Sequence, residues 1–208
     1  RAGTLSYSGL PASVGGKVEL PGYRPTANGT VSRTITTSYV TNSGLYASFI
    51  LNVTTLSTIQ SNVSGMFVFS LRNGSGQLLI TNNASDAAKF NIGLLSAGGK
   101  VPVWYNNSGA GYSQGTSYLI AMSLTNTSAG ATNAFSQLWV NPALGQSTPG
   151  AAQLTVSVAN ITNTSIYLGV ANGNGTPDPA NRSVIYLDEL RVGPTWASVT
   201  PGTVSAPA

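Results

Sequence analysis

The side chains that could do chemistry are few, and they are poorly spaced for hydrolysis. The chain has no His and no Cys, which removes Ser-His-Asp triads, Cys-His pairs, thiolate reactions and nearly every zinc site. Its carboxylates are Glu19, Asp86, Asp178, Asp188 and Glu189. Glycoside hydrolysis needs two of them facing one another across a cleft. Asp188 and Glu189 are adjacent on an expected strand, where neighbouring side chains point to opposite faces, so they should not form that pair. A lyase working through Tyr with Lys or Arg is not removed by counting, but no spacing points to one. The expectation is therefore a non-catalytic chain with no catalytic residues.

Metal and glycan chemistry come next. Calcium wants about six to eight oxygens, usually from more than one carboxylate. Asn172, Asn174 and Asp178 form a thin candidate set, and a polar Gly/Pro turn explains them without an ion. No cofactor is expected, and structural calcium is not favoured. Sugar rings stack on aromatic faces while their hydroxyls pair with amides. Trp104, Tyr105, Asn106 and Tyr112 have that character within one segment. Trp139 shares a strand face with Phe135 and Gln137, opposite Leu138 and Val140, so one of those faces could be open. The competing reading is that these rings fill the core, where most large rings go. Asn-x-Ser/Thr sequons are frequent, at Asn28, Asn52, Asn62, Asn73, Asn83, Asn106, Asn126, Asn160, Asn163, Asn174 and Asn181. They are glycosylation candidates in an organism with the machinery, or turn chemistry, since Asn followed by small polar residues suits tight turns.

The elements that must position these groups read as strands. Charged residues are 7% of the chain, against roughly 25% in an ordinary soluble domain. Disorder does not explain this, because Val, Ile, Thr and Tyr are plentiful and suit a pleated surface. The nine basic residues are scattered singly, so no nucleic-acid stripe forms despite the net charge of +4. No apolar run reaches the roughly 18 residues of a membrane span. Period-two alternation predicts strands at Thr30–Thr36, Gly44–Val53, Met66–Leu71, Gln77–Thr81, Lys89–Leu95, Val101–Tyr105 and Ser117–Thr125. Phe135–Val140, Gln153–Ala159, Ser165–Ala171 and Ser183–Val192 complete the set. In the clearest of them Leu45, Ala47, Phe49, Leu51 and Val53 take one face, with Tyr46, Ser48, Ile50 and Asn52 on the other. The fold class is all-β, a two-sheet antiparallel jelly-roll sandwich of about 12 strands. Residues 1–198 read as one sandwich and 199–208 as an extended C-terminal tail. The start at Arg1, without Met or a signal-like stretch, reads as a processed product or a fragment.

Several segments carry a resemblance. They are Gly3-Thr4-Leu5-Ser6-Tyr7-Ser8-Gly9-Leu10, Tyr46–Val53, Leu138-Trp139-Val140-Asn141-Pro142, and the closing run Leu187-Asp188-Glu189-Leu190-Arg191-Val192-Gly193 followed by Trp196 and Val199-Thr200-Pro201. Together they resemble bacterial extracellular domains of the laminin G-like, concanavalin A-like lectin-glucanase fold. The resemblance implies a jelly roll whose last strand, with Asp188 and Glu189, runs near the first. It departs from the Glu-x-Asp-x-x-Glu pattern of sandwich-fold glucanases, which is absent here. It also implies a further segment ahead of the Leu-Ser-Tyr motif. The chain starts almost at that motif, which reads as a vacant sheet edge open to strand exchange, or as a shorter member or processed fragment. Asp188, Arg191 and Trp196 are expected to be structural, with Asp188 accepting backbone or Arg hydrogen bonds.

Two functions stay open. The first is an extracellular or cell-surface structural or adhesive subunit of a filamentous assembly, with copies of itself or other extracellular subunits as partners. It follows from the scarcity of charge, the edge and the tail. The second is a carbohydrate-binding module of a secreted polysaccharide-active protein, with polysaccharide as partner. Neither involves nucleic acid or a membrane span.

Overall fold

The computed structural model describes residues 3–12, 15–21, 29–34, 44–56, 66–71, 76–96, 102–105, 110–126, 133–159, 165–170 and 183–202. Their strands are β1 (Val18–Pro21), β2 (Gly29–Thr34), β3 (Leu45–Thr55), β4 (Met66–Ser70), β5 (Gln77–Asn82), β6 (Lys89–Leu95) and β7 (Pro102–Tyr105). There follow β8 (Tyr112–Ser113), β9 (Ser117–Asn126), β10 (Asn133–Val140), β11 (Leu154–Ala159), β12 (Ser165–Val170), β13 (Val184–Gly193) and one helical turn, α1 (Trp196–Val199). They form two antiparallel sheets. One has six strands in the order β1-β13-β3-β9-β10-β11, and the other has seven, β2-β12-β4-β5-β6-β7 with β8 also on β6. The expected all-β jelly-roll sandwich is what the chain adopts.

Alternation explains the core. Leu45, Ala47, Phe49, Leu51 and Val53 of β3 face Phe69, Leu78, Ile80, Phe90, Ile92 and Leu94 of the other sheet in one cluster. The Phe49 and Phe69 rings meet at 4.8 Å. Each of the Leu, Ile, Val and Phe side chains so taken from water contributes about 1.5–3 kcal/mol.

The six-stranded sheet has a second buried layer on its outer face. There Leu5 and Leu10 of the N-terminal segment pack on Ile50 and Leu119, with Tyr7, Leu144 and Tyr186 around them. Trp196, at the start of α1, packs on Trp139 and Ala121. Thr195 caps this turn, accepting from the Ser198 amide. The Ser48 hydroxyl donates to the Val199 carbonyl, binding the turn to β3. Val199 and Thr200 are buried, and residues 203–208 of the expected tail lie outside the described residues.

Four elements differ from the sequence expectation: β1, the two-residue β8 and the helical turn α1 are additional, and β13 is irregular. β1 lies outside the expected strands because its four residues follow Gly15-Gly16, end on Pro21 and are too few to show a period. It pairs with β13 from Val18↔Leu187 to Pro21↔Val184, so β13 is not the sheet edge over that stretch. Nor is β13 regular. Its pairing with β3 jumps between Asp188 and Arg191, and Glu189 takes a left-handed φ of 53°.

Candidate functional site

The outer face of the seven-stranded sheet carries the candidate site, and Trp104 is its most prominent group. Ile92 and Leu94 of β6 point into the core, so Gly93 between them faces outward. Trp104 of β7 pairs directly with Gly93. A Cβ built on Gly93 would fall 2.6 Å from Cε3 of the Trp104 ring and 2.7 Å from the Val103 carbonyl oxygen. The indole therefore lies down across the strand where the side chain is missing, and it is only half-buried. Leu79, paired with Gly93 on β5, is next in the same cross-strand row and is buried. The flanking outward positions hold Thr81 opposite Asn91 on one side, and Leu95 opposite Pro102 on the other. Lys89 follows on β6, ion-paired to Asp86 at 3.5 Å.

The other glycan-binding candidates do not gather around it. Strand alternation puts Tyr105, opposite Ile92, on the face turned toward the other sheet. Tyr112, opposite Phe90, faces the same way. Tyr112 meets Phe90 at 5.8 Å and Tyr118 of the facing sheet at 5.0 Å, so these rings close one end of the sandwich. Burial, reinforced by Tyr105 and Tyr118, pushes the Tyr112 phenol well above the ordinary tyrosine value. The Tyr118 hydroxyl accepts from the Ser113 amide at 2.9 Å. Trp139 faces the covered layer at 3% exposure, its ring 4.9 Å from Trp196 and its indole N–H donated to the Gly150 carbonyl. It has no free face for a sugar. Asn106 lies outside the described residues.

Asp188 holds the covering segment in place. It is 9% exposed, and its Oδ2 accepts the Leu5 amide at 2.6 Å while Oδ1 accepts the Glu189 amide at 2.9 Å. Arg191 pairs with Glu189 at 2.5 Å rather than with Asp188. Asp188 and Glu189 both belong to the wall of one cavity with Gly16, Val18, Phe49, Leu187 and Leu190. The strand bulges there, with an extra residue between Asp188 and Arg191 relative to β3. The left-handed backbone at Glu189 costs about 1–2 kcal/mol.

Two sequon asparagines are structural. Asn52 is buried and donates to the Gly115 carbonyl and the Ser117 hydroxyl. Asn83 is buried, donates to Asn91 at 3.2 Å and accepts from the Ser85 amide. Asn126 ends β9. Asn28, Asn62, Asn73, Asn106, Asn160, Asn163, Asn174 and Asn181 lie outside the described residues, as do the calcium candidates Asn172, Asn174 and Asp178. No metal-holding group of three or more His, Cys, Asp or Glu occurs among the described residues. Sequence reasoning missed Gly93, although a lone Gly inside a strand pattern is a recognised sign of close approach.

No protein-family model and no curated protein matches the chain. Solved structures do. The alginate lyase Aly36B aligns with a TM-score of 0.53 and 13% identity, over 85% of this chain and 80% of that one. The endo-β-1,4-glucuronan lyase of the fungus Trichoderma reesei aligns with a TM-score of 0.51 and 12% identity, over 89% and 84%. At such identity the likeness establishes a shared β-sandwich and no narrower family, laminin G-like or otherwise.

The expectation of a non-catalytic chain is corrected on this finding. Polysaccharide lyases share the sandwich over most of both chains, so the fold gives no ground for excluding catalysis. Counting His and carboxylates tests for hydrolases, whereas elimination from a uronate takes a base and a cation, which Tyr with Lys or Arg can supply. The comparisons lend no support to a filament subunit.

Proposed function

We propose that the chain is an extracellular polysaccharide-binding domain that takes an acidic glycan across the outer face of the seven-stranded sheet, with Trp104 as its stacking platform. The observation that carries this reading is the Trp104 ring laid over Gly93 on the outward side and only partly buried, while Trp139 and Trp196 are buried under the opposite face. Trp is enriched at binding surfaces, where one part of the ring packs and another meets water. Acidity of the glycan is supported by the net charge of +4 and by the placement of three of the five carboxylates, while Asp86, beside the face, is paired with Lys89. Glu19, Asp188 and Glu189 sit on β1 and β13, across the sandwich from β7, which lies opposite β11. The alginate and glucuronan named for the structural neighbours are polymers of this kind.

Cleavage of that glycan is the second reading, favoured by those same neighbours. A base would take the proton on the carbon next to the uronate carboxylate. The electron pair forms a carbon–carbon double bond, the glycosidic oxygen leaves with a proton, and a cation balances the carboxylate.

Isothermal titration of the chain with alginate, glucuronan and a neutral glucan tests both, with ultraviolet absorbance followed for the unsaturated product. Binding to the acidic polymers is expected, with at least a tenfold loss in Trp104→Ala at an unchanged unfolding midpoint. Failure of the unaltered chain to bind either acidic polymer overturns the proposal. Rising absorbance establishes the lyase, and binding with flat absorbance removes it.

A further inference from the structure

A second site lies on the flank away from Trp104, where β1 leaves β13. The β1–β13 ladder ends at Val18↔Leu187. Before it the chain turns away, and the Lys17 amide donates to the Gly3 carbonyl. Beyond Leu187, β13 bulges at Asp188–Arg191. Between the departing chain and the bulge is a cavity of about 170 Å³, lined by Gly16, Val18, Phe49, Leu187, Asp188, Glu189 and Leu190.

Its wall is mainly hydrocarbon. Val18 is 50% exposed and Leu190 40%, and with Val103 they are the exposed large hydrophobics among the described residues. Two of those three therefore border one cavity. The two carboxylates of the wall are engaged elsewhere. Asp188 accepts the Leu5 and Glu189 amides, and Glu189 holds the Arg191 guanidinium. A charged guest would find no free counter-charge there, and a sugar would lose hydrogen bonds to water without replacement. An apolar cavity of ~150 Å³ suffices for benzene, so this one has the right size for a single ring.

We infer that this cavity binds a neutral apolar group the size of one benzene ring, independently of the glycan face. Nothing in the glycan reading requires it, and the two sites sit on opposite flanks.

Methyl-resolved NMR of the full chain titrated with benzene tests the inference. Saturable shifts are expected for the Val18, Leu187 and Leu190 methyls, with a dissociation constant on the order of 1 mM for so small a ligand. Val18→Phe would place a ring into the cavity from its exposed rim, and Leu190→Trp would cover the mouth. Loss of saturable binding in either variant, by at least tenfold and at an unchanged unfolding midpoint, supports the site. Absent or non-saturating shifts in the unaltered chain, or binding unchanged in both variants, overturn it. Alginate binding should be unaltered in both, which separates failure here from failure of the glycan proposal.

Discussion

The two outer faces of the sandwich use tryptophan in opposite ways. On the six-stranded sheet the N-terminal segment and the residues after β13 return to cover the strands, and Trp139 and Trp196 pack edge to face beneath them. On the seven-stranded sheet Trp104 lies over a glycine and keeps part of its ring in water. Among the described residues, the Trp139 ring is covered by the turn that carries Trp196, whereas Trp104 packs on Gly93 of its own sheet and stays partly accessible. The same side chain thus serves stability on one face and is available for recognition on the other.

Exchanging the two roles by mutation gives the largest expected effect. Trp139→Ala removes a buried ring from the covered layer together with its hydrogen bond to Gly150. It should cost about 3–5 kcal/mol in denaturant unfolding, while the folded fraction keeps its affinity for acidic glycan. Trp104→Ala should do the reverse. If Trp139→Ala proves mild, or abolishes glycan binding by the folded fraction, the division between the faces fails.

Gly93→Ala tests the platform itself and is a smaller effect. The new Cβ would press on the Trp104 ring at 2.6 Å and on the Val103 carbonyl at 2.7 Å, the latter on backbone that cannot simply rotate away. A cost of about 1–3 kcal/mol is expected from overpacking, with weaker glycan binding as the indole tilts. Unchanged binding by this variant would mean that the flat pose of Trp104 is not what the glycan reads.

Much of this was legible in the sequence because alternation is a local signal. The two faces of β3 are those its residues prescribe, with Leu45, Phe49 and Leu51 in the core and Ser48, Ile50 and Asn52 outward. Outward did not mean exposed, since Ile50 is covered by Leu5 and Leu10 from far along the chain, and no period reports such a return. The site was legible in part. Trp104 stood out by type, and alternation alone would have separated it from Tyr105. The placement of Trp139 depended on the covering turn at Trp196. The bulge at Glu189 was not legible, because a left-handed glutamate carries no compositional mark as a glycine would.

The tyrosine-lined end of the sandwich offers the smallest effect, at rings turned inward where Trp104 is turned outward. Burial raises the Tyr112 phenol above its ordinary value, with Tyr105 and Tyr118 adding to the shift. An unfolded chain gives up that proton at a pH of about 10, whereas the folded chain holds it longer. Above that pH the folded state binds more protons than the unfolded one, so stability falls as pH rises. Below it the group contributes no pH dependence. Denaturant midpoints followed from neutral pH to beyond the tyrosine range should therefore decline in the unaltered chain more steeply than in Tyr112→Phe. The Phe variant keeps the contacts to Phe90 and Tyr118 but has no proton to lose. An equal decline in both would show that burial at this end does not hold the Tyr112 proton. The contrast between inward and outward rings would then rest on the tryptophans alone.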